Sequence, residues 1–508
     1  MPPASRAHSA GRLLREKLRQ KGQFWTPAWV AEAMVAYVLR DGARCLFDPA
    51  VGAGAFFLAA QALAGRIGRV IECCGVELEP STLELAAARG VGADALARVH
   101  IGDFLELAPR LPPAQAIVAN PPYVRHHRLP PTTKTLLRCT AAQVLGEPLD
   151  GRAGLHVYFL IWALRLLGKG GRLCFLVSAD TCEGVFAPAL WRWITAQYRL
   201  DAVLTFAPEA SPFPDLDTNP IVIMIRNSPP SETFVWARCT SPGNAQLVPW
   251  VLRDFDPTEA KGLEVQLRTL SEGLRTGLSR RPSSLVDPGV RLGDFARVMR
   301  GIATGCNSFF HLTKRQAAAL NIPEEFLVPA IARTRDLDGP EVTAGTLEAL
   351  EKAERPTLLF SPDGRPLGDF PPSVQAYILH GEAIGVAQKP LIATRRPWYR
   401  MERRSAPPIL FAYLGRRNLR FVRNRAGVVP LTGFLCVYPR LEEEFWVDAL
   451  WQVLRHPATN ANLALVAKSY GNGALKVEPR ALENLPLPTA VVRSAGLPWE
   501  RRGNTTVP

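Results

Sequence analysis

The first half of the chain alternates short apolar runs with stretches whose apolar residues recur at helical spacing. Helical patterns cover residues 54–65, 80–90, 154–168 and 189–198. The apolar runs predict seven strands, at 44–48, 70–77, 98–103, 116–120, 172–178, 202–206 and 221–225. Because these runs are apolar at nearly every position, both faces of their sheet should be buried under helices. The pattern therefore predicts an α/β fold over residues 1–235, with a doubly wound, mainly parallel sheet.

The second half of the chain differs from the first in composition and hydrophobic pattern. Residues 227–290 are mixed and contain the breakers "NSPPSE", "SPGN" and "SRRPSS", so we predict a linker or connecting arm over 236–290. After residue 290 the sequence is irregular and rich in proline and arginine, with short apolar runs. This predicts a second domain of α+β type over residues 291–508. A chain of 508 residues suits such a division into domains.

Charge and cysteine content narrow the class of protein. The formal net charge is +14, and Lys plus Arg exceed Asp plus Glu by 24 to 20 in residues 1–235 and by 36 to 26 in residues 236–508. A basic balance favours a polyanionic partner. The nine cysteines form no Cys-x-x-Cys pair, so neither a disulfide framework nor a metal site is expected. No run reaches the roughly 18 apolar residues of a membrane span, and we expect a cytoplasmic protein without a membrane partner.

Polar groups follow the first three predicted strands. The first strand runs into "FDPAVGAGAFF" (47–57), where glycine lets the backbone approach a ligand at a helix N-terminus. A dinucleotide fingerprint would have a third glycine at Phe57, which disfavours nicotinamide chemistry. Glu77 ends the second strand and suits two ribose hydroxyls, while Asp103 and Phe104 end the third and suit an adenine. Asp48 as a helix cap, Glu77 as a turn residue and Asp103 as a turn former are the structural alternatives.

The fourth strand ends in Asn120-Pro121-Pro122-Tyr123. Two hydrogen-bond acceptors, the Asn120 side-chain oxygen and the Pro121 carbonyl, therefore follow a buried strand. The two prolines fix the backbone direction, and Tyr123 offers a face for stacking.

In this order, "DPAVGAGAF", the acidic end of the second strand, "GDF" and "NPPY" resemble the S-adenosylmethionine-dependent amino-methyltransferases of DNA. "GQFWTP" (22–27) and residues 154–177 match further segments of that family. The resemblance implies a class I methyltransferase fold, which is Rossmann-like, followed by a target-recognition domain. It implies catalysis by Asn120, Pro121, Pro122 and Tyr123 without a metal. In such a site the Asn120 side-chain oxygen and the Pro121 carbonyl would accept the two protons of an exocyclic amino group and direct its lone pair at the methyl donor. The base would be flipped out of the duplex to reach them. It also implies S-adenosyl-L-methionine bound by Thr26, Asp48, Pro49, Gly52, Gly54, Glu77, Asp103 and Phe104.

The resemblance also suggests groups that contact DNA. "SPFPDLDTNPIVIMIR" (211–226) points to Phe213 as a second stacking ring, with an ordinary loop anchor as the alternative. Arg125 and Arg128 follow the catalytic loop and suit phosphates. The stretch 395–425 holds ten arginines, one acid and interleaved aromatic residues, which suits DNA or a solvated basic face. Its candidate DNA contacts are Arg395, Arg396, Trp398, Arg416 and Arg417. Segments 299–313 and 469–488 resemble parts of target-recognition domains.

We therefore expect an adenine-specific DNA methyltransferase of a restriction–modification or related system, acting on double-stranded DNA. Asparagine before Pro-Pro-Tyr favours adenine, and cytosine stays open. Methylation of ribosomal RNA or of a protein glutamine, and a nucleic-acid-binding module with an inactive core, also stay open as hypotheses. Because only about 20 residues precede "GQFWTP", we expect no fused nuclease, and the protein would either pair with a separate restriction endonuclease or act alone.

Overall fold

The structure, a computed structural model, describes residues 25–214, 219–257, 261–282, 290–415, 419–470 and 474–498. The chain divides into two compact units, with the boundary between Pro282 and Ser283. Each unit contains its own hydrophobic core.

The first unit is built on a nine-stranded sheet in the order β3-β2-β1-β4-β5-β7-β6-β8-β9. Strands β1 to β5 pair in parallel, and β7 runs antiparallel to β5 and β6. This confirms the predicted doubly wound, mainly parallel sheet. The strands are β1 (Cys45–Asp48), β2 (Glu72–Glu77), β3 (Val99–Ile101), β4 (Ala114–Ala119), β5 (Leu167–Ser178), β6 (Arg199–Phe206), β7 (Pro220–Arg226), β8 (Thr233–Cys239) and β9 (Leu263–Thr269).

Helices cover both faces of this sheet. Successive residues of one strand enter opposite cores: Leu46 packs into one cluster and Phe47 into the other, and Val118 and Ile117 divide in the same way. This is why the strands are apolar at nearly every position. The helices are α1 (Ala28–Val38), α2 (Ala55–Ile67), α3 (Pro80–Ala88), α4 (Ala93–Leu96), α5 (Phe104–Leu107), α6 (Pro131–Leu145), α7 (Leu155–Leu166), α8 (Asp180–Glu183), α9 (Ala187–Gln197), α10 (Leu247–Leu252) and α11 (Leu270–Thr276).

Residues 236–282 belong to the first unit, so the linker predicted over 236–290 is wrong for most of its length. Strand β9 pairs along its whole length with β8, from Thr233 opposite Thr269 to Cys239 opposite Leu263. The buried Trp236 indole N–H donates to the Ser279 carbonyl at 3.0 Å. The breakers in this region are turns between strands of one sheet, which composition does not distinguish from a linker. Residues 283–289 lie outside the described part of the chain.

The second unit has three small sheets, in the orders β10-β19-β15-β17-β13, β11-β14-β12-β18 and β16-β21-β20. Their mostly antiparallel pairing, with helices packed around them, confirms the predicted α+β class. The strands are β10 (Ala296–Arg300), β11 (His311–Leu312), β12 (Leu327–Ile331), β13 (Glu341–Val342), β14 (Leu358–Phe360), β15 (Ile409–Ala412), β16 (Leu414–Gly415), β17 (Arg420–Asn424), β18 (Val429–Pro430), β19 (Phe434–Pro439), β20 (Lys468–Tyr470) and β21 (Ala474–Lys476).

The helices of the second unit are short or medium in length. Across both units, none of the helices in the described ranges is long and apolar enough to span a bilayer. The helices are α12 (Leu292–Phe295), α13 (Asn307–Phe310), α14 (Lys314–Ala319), α15 (Ala344–Lys352), α16 (Pro372–Ala383), α17 (Glu444–Arg455), α18 (Pro457–Val466), α19 (Pro479–Glu483) and α20 (Thr489–Ser494).

Candidate active site

The predicted site residues follow strands that lie side by side. β1 is the central strand: the chain winds to one side through β2 and β3, then crosses to the other side of β1 through β4 and β5. In open parallel sheets this reversal opens a crevice beyond the carboxyl ends of the strands, where ligands bind. Phe47 of β1 pairs with Ile117 of β4. β1 ends at Asp48 and β4 at Ala119, so the glycine turn and Asn120 both follow the carboxyl ends of adjacent parallel strands.

The glycine turn links β1 to α2. Gly52 and Gly54 have φ of +55° and +74°, a region in which side chains other than glycine are strained. At Gly54 a Cβ atom would also lie 2.5 Å from Val91 Cγ2. Helix α2 begins directly after the turn. Its first amides therefore lie at the crevice, which suits a polar ligand.

Glu77, at the end of β2, fastens that strand to the glycine turn. Its Oε2 accepts a hydrogen bond from the Gly52 amide at 2.7 Å, and its Oε1 accepts one from the Glu79 amide at 3.0 Å. Asp103, after β3, caps helix α5 by accepting a hydrogen bond from the Leu105 amide at 2.9 Å. Both carboxylates are thus held in fixed positions at neighbouring strand ends.

Asp48 is completely buried at the end of β1. Its Oδ1 accepts a hydrogen bond from the Ala50 amide at 2.9 Å, whereas its Oδ2 has no hydrogen-bond partner among the described residues. Burial, and to a smaller degree the charge of Glu77, raise the pKa of Asp48 to about 8. A buried oxygen without a donor costs free energy in the free protein. A ligand that brings a donor or a positive charge would offset that cost.

Three further residues of the expected cofactor site are also buried. Thr26 lies just before α1, and Pro49 follows Asp48. Phe104 is only 2% exposed, and its ring packs between Phe47 and Phe159 at centroid distances of 6.2 and 5.1 Å. The expectation that this ring covers an adenine is therefore wrong, because too little of its surface is available. Phe104 supports the strand ends from inside the core.

The Asn120–Tyr123 loop is anchored on two sides. Pro121 is buried and Asn120 half-buried. The Tyr123 hydroxyl donates to the Leu176 carbonyl of β5 at 3.0 Å, and its ring stacks against His156, with centroids 6.0 Å apart and planes 28° apart. The next residue, Val124, accepts a hydrogen bond from the Leu155 amide at 3.0 Å. The loop is consequently held rigidly between β5 and the start of α7.

His156 is a residue of this site that the sequence interpretation missed. It is buried, and burial lowers its pKa to about 4, so the ring is neutral at ordinary pH. Its Nε2 lies 3.5 Å from the Ser178 hydroxyl, and its Nδ1 has no hydrogen-bond partner in the described part of the chain. The available signal was a histidine in the otherwise apolar first part of α7.

Phe213 does not present a ring to the crevice. It is 7% exposed and belongs to the apolar cluster that also contains Ala207 and Ala210. The structure thus favours the loop anchor over the expected second stacking ring. Arg125 and Arg128 are exposed at the start and the end of a short turn that follows the Asn120–Tyr123 loop, as a contact with phosphate requires.

The basic stretch 395–425 is mostly engaged within the second unit. Trp398, an expected DNA contact, packs against Phe309 with ring centroids 5.9 Å apart and planes tilted by 47°, and its indole N–H donates to Glu382 at 2.7 Å. The buried Arg423 pairs with Glu444 and Asp448 of α17. The expectation of aromatic residues open to bases is therefore wrong for the four that are buried: Tyr399, Phe411, Tyr413 and Phe421. Arg416 and Arg417 lie outside the described residues.

Arg395 and segment 299–313 are tied together. The Arg395 Nη2 donates to the carbonyls of Ala303 and Thr304 at 2.6 and 3.0 Å. A Cβ atom at Gly301 would lie 2.2 Å from the Leu431 carbonyl oxygen. This glycine is therefore required by packing within the unit, and not by an approach to DNA. Segment 469–488 includes residues 471–473, which are outside the described ranges.

Comparison with known proteins covers both halves of the chain. Residues 11–185 match the family described as N-6 DNA Methylase, and residues 286–500 match the C-terminal domain of the Type II methyltransferase M.Eco57I. The chain is 23% identical over 481 residues to the Type II methyltransferase M.AccI of Acinetobacter calcoaceticus, covering 92% of this chain and 85% of the relative. It is 26% identical over 502 residues to the Type II methyltransferase M.XamI of Xanthomonas campestris pv. amaranthicola, covering 96% and 89%.

A solved structure shares the fold. The Type IIL restriction–modification enzyme MmeI, solved in complex with DNA, matches with a TM-score of 0.55 and 13% identity. The match covers 96% of this chain and 65% of MmeI, so this chain spans somewhat less than two thirds of that protein. The sheet order and this likeness identify the fold of the first unit as that of class I methyltransferases.

The raised pKa of Asp48 predicts a pH-dependent stability. At pH values between the ordinary pKa of an aspartate, about 4, and the folded-state value of about 8, the unfolded chain has released this proton and the folded protein has not. Stability should therefore fall as pH rises through this window, by up to about 1.4 kcal/mol per pH unit. Asp48→Asn cannot ionise and should lack this slope. Denaturant unfolding of both proteins between pH 4 and 8 measures it, and parallel pH profiles would contradict the assignment.

The anchoring of Tyr123 predicts a selective effect of removing its hydroxyl. Tyr123→Phe deletes the hydrogen bond to Leu176 and should cost about 1 kcal/mol of unfolding free energy, while loosening the catalytic loop and lowering turnover several-fold. Tyr198→Phe is the matched control, because the Tyr198 hydroxyl donates to the Leu164 carbonyl at the same 3.0 Å. It should lose similar stability and keep its turnover. Equal turnover in the two variants would show that the Tyr123 anchor is only structural.

Proposed function

We propose that this chain, which matches the family described as N-6 DNA Methylase and is similar to two Type II methyltransferases, transfers the methyl group of S-adenosylmethionine to the amino group of adenine in double-stranded DNA. One observation carries the proposal. The Asn120–Tyr123 loop and the glycine turn follow the carboxyl ends of β4 and β1, which are adjacent and parallel.

The residues at the strand ends fit the cofactor. S-adenosylmethionine carries a cationic ammonium and a sulfonium, and Asp48 has a buried oxygen that lacks a donor. The glycine turn offers backbone amides at the start of α2, which suit the cofactor's carboxylate. We assign the cofactor to Thr26, Asp48, Pro49, Gly52, Gly54, Glu77 and Asp103, with Phe104 as support from the core. When bound, the cofactor supplies a methyl group already activated by its positive sulfur.

The acceptor amine is oriented by the loop after β4. The Asn120 side-chain oxygen and the Pro121 carbonyl accept its two protons, which directs the nitrogen lone pair towards the methyl donor. Because Pro121 is buried and its φ is fixed, this arrangement exists before the substrate binds and costs little reorganisation. Positioning of this kind can supply on the order of 7–11 kcal/mol of barrier reduction.

The target base has to leave the duplex to reach this loop. Tyr123 provides the stacking platform, since its hydroxyl and the neighbouring His156 ring hold it in place. Stacking offsets part of the cost of unpairing, which is a few kcal/mol. Arg125 and Arg128, exposed just beyond the loop, supply charge for the phosphates of the extruded strand.

The second unit favours DNA over the other substrates. Residues 286–500 match the C-terminal domain of a DNA methyltransferase of Type II, and this unit makes up two fifths of the chain. Methylation of ribosomal RNA or of a protein glutamine would not explain why the second unit is similar to a domain of a DNA methyltransferase. The match to the N-6 methylase family favours adenine over cytosine. A separate restriction endonuclease stays a predicted partner.

Transfer of label tests the substrate. The full-length protein, incubated with methyl-labelled S-adenosylmethionine and in parallel with duplex DNA, ribosomal RNA or a release factor, should label only the DNA. Digestion of that DNA to nucleosides should recover the label in N6-methyladenine. Label in RNA or protein alone would contradict the proposal, and label in N4-methylcytosine would correct the target base.

Asn120→Ala separates chemistry from cofactor binding. We expect turnover to fall by at least about 10²-fold, the scale seen when one oriented catalytic hydrogen bond is removed. The dissociation constant for S-adenosylmethionine, measured by calorimetry, should change little because Asn120 orients the acceptor. Asn460→Ala, a change at an exposed asparagine of α18, is the control and should behave as wild type. Turnover of Asn120→Ala within a few-fold of wild type would remove the mechanism.

A further inference from the structure

A cavity of about 580 Å³ in the second unit is lined by four arginines: Arg395, Arg396, Arg400 and Arg403. They come from one loop, between α16 and β15, and three of them are exposed. Four guanidinium groups around one cavity repel one another unless anions neutralise them. The charge balance of this cavity therefore decides what it can bind.

The carboxylates at the cavity form their direct ion pairs with arginines outside it. Two acids lie in the lining, Asp363 and Glu402. Asp363 is held by both Nε and Nη2 of Arg365, at 2.9 and 2.7 Å, which lowers its pKa. Glu402 pairs with the Arg404 Nε at 2.5 Å. Neither Arg365 nor Arg404 is part of the cavity lining, so both acids are satisfied by other cations.

The four cavity arginines make no ion pair with any carboxylate of the described residues. Arg396 donates to the carbonyls of Ala393 and Arg395 at 2.8 Å each, and Arg403 donates to the Ser361 carbonyl at 3.3 Å. Arg395 is held by the carbonyls of 303 and 304, as described above. These bonds to neutral carbonyls position the guanidinium groups without a direct ion pair, and the carboxylates of Asp363 and Glu402 act on Arg403 and Arg395 only through their charge, from beyond contact distance.

The surroundings of the cavity favour phosphate over a nucleobase. The nearby Trp398 and Tyr399 rings are packed against other aromatic residues and cannot serve as stacking platforms. Without a ring to stack on, an unstacked base gains little there, whereas arginine binds phosphate oxygens with paired, charge-assisted hydrogen bonds. The volume exceeds that of one phosphate and accommodates a short run of backbone.

We propose that this arginine cavity binds consecutive phosphates of the DNA backbone, and so supplies sequence-independent affinity. The inference rests on the proposed DNA substrate and goes further by separating backbone contact from base reading. It places the free positive charge of residues 395–404 at one locus, whereas Arg423 and Arg425, farther along the basic stretch, serve ion pairs with α17.

Salt-dependent DNA binding tests the proposal. Fluorescence anisotropy would measure binding of two duplexes of unrelated sequence by the full-length protein from about 50 to 200 mM salt, the range over which phosphate contacts change affinity strongly. The double variant Arg400→Ala/Arg403→Ala should lower the slope of log K against log salt by roughly 1.8, or about 0.9 per lost contact. It should weaken both duplexes alike, on the order of tenfold. Turnover at saturating DNA should be retained while KM for DNA rises.

Matched variants separate the site from general charge and from misfolding. Arg333→Ala/Arg335→Ala removes the same charge from exposed positions outside the cavity and should leave the slope near that of wild type. Arg400→Lys/Arg403→Lys keeps the charge and should restore most of the slope. Equal slopes for the two alanine double variants would overturn the proposal.

Two further outcomes would also overturn it. Inorganic phosphate or pyrophosphate that raises the melting temperature of wild type but not of Arg400→Ala/Arg403→Ala, with DNA binding equal in both, would assign the cavity to a free anion. Wild-type protein that binds S-adenosylmethionine but no duplex DNA would reject the proposed DNA substrate, and this inference with it. Because the first result leaves DNA methylation intact, the two failures are distinguishable.

Discussion

The parallel pairing of β1 with β4 is the constraint on which the candidate site depends. It joins segments that are seventy positions apart, through Phe47 and Ile117, and places the glycine turn and Asn120 at the same edge of the sheet. Strands β1 and β2 also approach each other closely. Asp48 lies opposite Gly75, where a Cβ atom would come within 2.3 Å of the Asp48 carbonyl oxygen. A side chain at Gly75 would push β2 away and break the link from Glu77 to the turn.

The site holds polar groups that the fold alone does not satisfy. Asp48 and His156 are both buried, and each has one side-chain atom without a hydrogen-bond partner in the described chain. Burial raises the pKa of the first group and lowers that of the second, so both are neutral in the free protein at pH 7. Each arrangement costs stability, and such local costs are typical of functional sites. Of the two, Asp48 lies where a cationic ligand would change its ionisation, whereas His156 lies under a stacked ring.

Much of the first unit was predictable because apolar runs, helical spacing and polar strand ends are local properties. The seven predicted strands are confirmed by the sheet. The side on which a ring packs was not predictable. Phe104 follows the capping Asp103 and begins a helix, and its ring packs into the core. The ring of Phe213 also packs into the core, although this residue lies in a proline-rich loop. Strands β8 and β9 were missed because their partners, and not their composition, make them part of the sheet.

The basic stretch shows why net charge is a poor guide to a binding surface until internal ion pairs are subtracted. Ten arginines between 395 and 425 look like one surface in sequence. In the structure, Arg423 and Arg425 neutralise Glu444 and Asp448, which lie about twenty residues farther along the chain. The acids beside the cavity are likewise paired, with Arg365 and Arg404. An arginine that already faces a carboxylate adds little to the attraction of a polyanion, because the two fields cancel within a few ångströms. The charge that remains effective at a distance is therefore the part that has no acidic partner, and in residues 395–404 this part is concentrated around one cavity.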